Sequence, residues 1–238
     1  MHDRRHTLPN TGAPREGRAF GALRHRDFAL FWSGSFVSQA GNWMQQVAQS
    51  WLIYDMTRSP FLVGVGGLLS SLPFVVTSLY AGTVVDRVDR KKMLVWVQVA
   101  STLITMALAI DIAVGAVEVW HIYVASVLNA LVGAFQIPAQ QALLPYLVPR
   151  ADLMTAISLN SILRRGSQII GPSLGGISVA TVGVANTYTL NALTFVALGA
   201  CLLAIRVTNP VERGSDSNAL QAILEGFQYV RSETIISA

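Results

Sequence analysis

The sequence predicts an all-α membrane protein of six spanning helices, on three observations. Of its 238 residues 52% are hydrophobic and only 13% charged, where a soluble domain carries about a quarter charged residues. The apolar residues gather into six nearly charge-free blocks, at roughly 28–54, 61–85, 93–113, 121–145, 153–180 and 187–207, each long enough to cross a hydrocarbon core of about 30 Å. Fourteen of the seventeen Lys and Arg fall in segments that would share one side of a bilayer; Arg58 alone falls on the other side, and Arg164 and Arg165 lie inside the fifth block. This asymmetry puts both termini in the cytoplasm of a multi-pass protein of the cell (inner or plasma) membrane. Gly, Pro and Ala run through the blocks without the alternation of barrel strands, so helices are expected. A soluble bundle of buried core helices is the alternative, and six consecutive blocks of this length disfavour it.

Taken in order, residues 1–27 are basic but hold no apolar core of their own, and they read as a disordered cytoplasmic tail rather than a targeting peptide. The first block carries Ser35, Gln39, Asn42, Gln46 and Gln49 at helical spacing, one polar stripe on one face. The second block runs into AGTVVDRVDRKKM at 81–93. Its four basic residues forbid translocation and anchor a cytoplasmic turn. Asp86, at a membrane exit, needs a partner such as Arg87, Arg90 or a helix N-terminus, and Gly82, one turn earlier, permits close approach of a neighbour. The third block has Gln98, Thr102 and Thr105 and the sixth has Asn191, so both look peripheral.

The fourth block repeats the polar stripe with Asn129, Gly133, Gln136 and Gln140, interrupted by Pro138. In the fifth, Ser161, Arg165 and Gln168 share a face with Arg164 beside it, and Arg165 lies about 18 Å along the helix from Leu153 at 1.5 Å per residue. At that depth an arginine needs a partner or a wet cavity. It would receive an anionic substrate group or pair with an acid outside this chain; if the helix begins later, both arginines snorkel to the cytoplasm. Further along, Gly171, Pro172, Gly175 and Gly176 remove a helical hydrogen bond and permit a bend with close packing. Residues 208–238 read as a cytoplasmic linker, with Leu220, Ile223, Leu224, Phe227 and Val230 on one face of an amphipathic segment. The chain stops where a seventh span is expected, and so reads as an N-terminal half.

Polar residues inside spans are costly, so stripes mark faces turned away from lipid. They either line a substrate cavity or hydrogen-bond one helix to another. The cavity set is Gln39, Asn42, Gln46, Gln49, Asn129, Gln136, Gln140, Arg164, Arg165 and Gln168. No His/Cys/Asp cluster and no nucleophile with a base at sensible spacing suggests an enzyme, a metal site or a cofactor. Cys201 is the lone cysteine, which excludes an internal disulfide. Basic residues without interleaved aromatics argue against nucleic acid. Asp27, Asp55, Asp86 and Asp111 all fall near helix ends, so no acid sits at mid-membrane for proton coupling. Two function classes remain: a transporter that moves a small molecule across the bilayer, and a non-transporting six-helix scaffold or regulatory half-molecule.

The pattern Gly82-x-x-x-Asp86-Arg87-x-x-Arg90-Lys91 resembles the loop 2–3 signature of the major facilitator superfamily, with Asp89 where that signature often has glycine. Gly171-Pro172-Ser173-Leu174-Gly175-Gly176 resembles the end of its antiporter motif, with Ser158 and Ser167 at preceding glycine positions. SQAGNWMQQVAQSWLIYDMTRSP at 38–60 and LPFVVTSLYAGTVVDR at 72–87 are similar to the drug:proton antiporter branch, which includes enterobactin-type siderophore exporters and macrolide efflux pumps. The resemblance spans about residues 20–207. It implies half of a twelve-helix secondary transporter, built as a 3+3 inverted repeat. It further implies efflux of a drug-like or siderophore-like compound by alternating access, with protons as the coupling ion. The partner would be a C-terminal six-helix half in cis or a second copy. Asp86 would be the acceptor of a conformational latch, with Gly82 as its close-contact position, Arg90 as partner, and Arg87 and Lys91 completing the signature.

Overall fold

The computed structural model describes residues 21–85 and 88–206, the side chain of Thr83 excepted; the tail to residue 20, Asp86, Arg87 and the linker from residue 207 lie outside the described residues. The described residues form seven α-helices and no strand: α1 (Arg26–Thr57), α2 (Pro60–Val85), α3 (Arg90–Ala113), α4 (Val119–Gly133), α5 (Gln136–Leu147), α6 (Leu153–Val182) and α7 (Val184–Ala204). Short 3-10 turns at Gly21–Arg24 and Arg150–Asp152 precede α1 and α6.

Local chemistry sets the turns. Arg58 closes α1 in the left-handed region at φ 52°, its N–H donating to the Tyr54 carbonyl, and Pro60 opens α2 at a position where a missing N–H costs nothing. Gly115 at φ +73° ends α3 and Gly183 at φ +85° links α6 to α7 in a single residue, both conformations that a Cβ would strain. The fourth block is two helices rather than one. Pro138 has no N–H for the Ala134 carbonyl and its ring crowds that oxygen, and the helix breaks at Ala134–Phe135. Pro172, by contrast, lies inside an α6 that stays helical from Leu153 to Val182.

Four segments, Pro60–Gly82, Arg90–Ala113, Val119–Leu147 and Val184–Ala204, are long and apolar enough to cross a membrane. At 32 and 30 residues α1 and α6 have the length but carry more polar side chains. In packing, α1 lies between α6 and α7, α3 lies against α7, and α4 with α5 lies against α2 and α3. Two apolar clusters close the bundle. Phe28, Phe31, Leu94, Leu143, Leu159, Leu198 and Leu202 gather at the end where α1, α3 and α6 begin; Leu52, Ile53, Leu108, Ile122 and Tyr188 gather at the other. Between them lies a polar layer that includes buried Ser35, Ser101 and Asn191. Outward, α2 is almost wholly uncovered, with Phe61, Leu68 and Leu79 strongly exposed, an apolar surface suited to lipid or to another hydrophobic partner.

Candidate functional site

Within the polar layer is a cavity of about 470 Å³. From α1 it takes Ser35, Gln39, Asn42 and Gln46, one residue per turn on the same face, joined by their neighbours Trp43 and Gln45. The broken fourth segment contributes Asn129 and Gly133 before the break and Gln136 and Gln140 after it, so the break itself lies in the wall. Irregular backbone at membrane depth is tolerated where it borders a cavity. Leu163 and Arg164 of α6 close one side, with Phe74 of α2 and Phe195 of α7 as apolar walls.

Seven of the ten residues expected at a cavity therefore share one, and three do not. Gln49 lies one turn beyond, where its amide makes a long 3.5 Å bond to the Ser70 hydroxyl on α2. Arg165 and Gln168 are exposed on a different face of α6, because each residue rotates the helix by about 100° and Leu163 and Ser167 are the ones turned inward. The guanidinium on the wall is that of Arg164, half-buried, with Nη2 enclosed and without a hydrogen-bond partner among the described residues. No Asp or Glu lines the cavity.

Gln45 was not on the expected stripe. Its Oε1 accepts a 2.6 Å bond from Asn191 Nδ2 on α7, and Thr194 Oγ1 donates to Asn191 Oδ1 at 3.0 Å. Asn191 is therefore interior rather than peripheral, fully buried and tied to the cavity wall. A lone amide in an apolar span was the signal that could have found this pair, since it must have a partner.

Gly171 and Gly175 face α1 so closely that a Cβ at the first would collide with Trp43 and stand 2.8 Å from the Ala40 carbonyl oxygen, and at the second would stand 2.9 Å from that of Met44. Gly176 faces open space, and Pro172 lies between the two contact glycines. The α6 glycines thus set how near α6 lies to the helix that carries Trp43.

At the turn between α2 and α3, Asp86 and Arg87 lie outside the described residues. A Cβ on Gly82 would meet nothing within 4 Å. Asp89, the departure from glycine, is the N-cap of α3, its carboxylate accepting from the backbone N–H groups of Lys91 and Lys92 at 3.0 and 3.1 Å. Arg90 is buried against α5, donating to the Tyr146 hydroxyl at 2.9 Å with its guanidinium 5.3 Å from the ring centre. Lys91 Nζ donates to the Ile205 carbonyl at 2.6 Å, covering the open end of α7. The acids among the described residues sit at helix ends, where Asp55 pairs with Arg58, Asp111 with His121 and Asp152 with His25.

A family model described as transmembrane secretion effector matches residues 17–238. The staphyloferrin A transporter of Staphylococcus aureus is 26% identical over 201 residues, which are 83% of this chain and 51% of that protein. Macrolide efflux protein A of Streptococcus pyogenes is 24% identical over 206 residues, 86% of this chain and 51% of that one. An enterobactin exporter of Shigella boydii is 26% identical over 213 residues, 89% and 51% of the two chains. The chain spans about half the length of these curated relatives.

Proposed function

Because this chain belongs to the transmembrane secretion effector family of the major facilitator superfamily, we propose that it is one lobe of a secondary transporter that exports a small molecule. The relatives named above are by name a transporter, an efflux protein and an exporter, which supports transport as the activity, and the last two support export as its direction. The lobe has six spans, α1, α2, α3, α4 with α5, α6 and α7, with both termini in the cytoplasm. The polar stripe of α1 and the Arg164 of α6 are tolerated at membrane depth because they turn toward the cavity and not toward lipid.

A 3+3 inverted repeat accounts for the packing. Exchanging span one with four, two with five and three with six converts the α1–α6 pairing into α4–α2 and the α1–α7 pairing into that of the fourth span with α3, and returns α3–α7 to itself. The second lobe, in cis or from a second copy, covers the exposed face. Gly82, where an added Cβ would meet nothing within 4 Å, leaves room for that lobe to approach, with Asp86 as the latch acceptor of this reading, while Arg90 and Lys91 hold the turn to α5 and α7. Protons are the coupling ion in this reading.

The observation that carries the proposal is the amide-lined cavity between two apolar clusters. Cysteines introduced singly at Asn42, Gln46 and Gln136, with Cys201 replaced by serine, test it. All three should react with a water-soluble maleimide in membranes while a cysteine at Leu103, exposed on an apolar outer face, stays unreactive. Protection of all three would leave a non-transporting scaffold.

A further inference from the structure

Arg164 lies eleven residues into a thirty-residue helix, at a depth where a cation needs compensation. Nothing described compensates it. Its Nη2 is enclosed without an acceptor, the central cavity it faces has no carboxylate, and neither does a smaller one of about 360 Å³ that it also borders, lined by Gln141, Asn160 and Ser161 toward the start of α6. Arg164 thus borders both spaces, and Gln39, Asn42, Gln136 and Gln140, which line the central one with it, are amides that can donate to an anion. A guanidinium presents a planar fork of N–H donors matched to paired oxygens.

Resting on the transport reading above, we infer that the cavity selects substrates bearing an anionic oxygen group, a carboxylate, sulfonate or phosphate, and that Arg164 receives it. A neutral, purely apolar substrate would displace water from the half-buried guanidinium without replacing its hydrogen bonds, whereas an organic anion replaces them with charge-assisted ones, which makes charge the basis of selection.

Trp43 on the same wall supplies the readout. The full-length protein in phosphatidylcholine nanodiscs is titrated with 4-iodobenzoate and with uncharged 4-iodobenzamide, heavy-atom quenchers of nearly equal size, and the part of the quenching lost in Trp43→Phe is assigned to the cavity. Iodobenzoate should bind more tightly than the amide, and Arg164→Gln should weaken it about tenfold or more, the size of a lost charge-assisted bond. Arg164→Lys, which keeps the charge, should lose less, and iodobenzamide should be indifferent to both variants. Equal quenching by both probes in all variants would overturn anion selection while leaving an accessible cavity. Quenching of Trp43 by neither would overturn the cavity reading and this inference with it. Displacement of iodobenzoate by phosphatidylglycerol added to the discs would reassign Arg164 to a lipid headgroup and overturn the substrate assignment.

Discussion

Gln45 and Asn191 show how one side chain can hold the geometry of a site it only partly forms. Asn191 is fully buried, and its amide is satisfied by Gln45 across the α1–α7 contact and by Thr194 within α7. Removing Gln45 leaves the buried Asn191 Nδ2 without its acceptor, at about 1–3 kcal/mol. Gln45→Ala should therefore lower thermal stability in detergent by an amount in that range, whereas Gln45→Met combined with Asn191→Leu should cost less than the two single changes summed. Additive losses would mean the pair does not interact. Asp89 carries a related lesson: it breaks the family signature yet caps α3 through two backbone N–H groups. The charge was visible in the sequence, and its cap role was not, because capping depends on the backbone bending at that residue.

At the level of elements, the stripes of α1 and of the broken fourth segment were legible because polar residues at helical spacing must share a face, and that face converges on one cavity. The choice between Arg164 and Arg165 was not. A shift of one residue turns the side chain by about 100°, and the two are told apart by the burial of Leu163 and Ser167, which turns Arg164 to the cavity and Arg165 outward. The division at Ala134–Phe135 likewise follows from Pro138, whose presence was noted but whose effect was not legible, since a proline can also lie within a continuous helix, as Pro172 does in α6. The α1–α6 contact yields a paired prediction. Gly171→Val forces a side chain onto Trp43 and the Ala40 carbonyl and should cost about 1–3 kcal/mol, as overpacking does, while Gly176→Val, which enters open space, should leave unfolding unchanged. Similar thermal stability for both variants would contradict the close packing.

For the whole molecule, the all-helical membrane character and the superfamily were both legible, the first from charge-poor blocks of spanning length and the second from two motifs in the right order. What pairwise spacing could not reveal is that α1 and α6 bury small residues against each other while turning their amides and arginine to a shared space, since that needs three helices placed at once. Two apolar clusters with a polar cavity between them are compatible with the transport proposed above, in which a second lobe rocks against this one around a site at mid-depth. The most direct measurement is two-sided accessibility of a cysteine at Gln46, in a Cys201→Ser background, using a membrane-impermeant thiol reagent on right-side-out and inverted vesicles. Reaction from both sides, with substrate shifting the balance, is the predicted result. Reaction from one side only, or from neither, would contradict a transport pathway through this cavity.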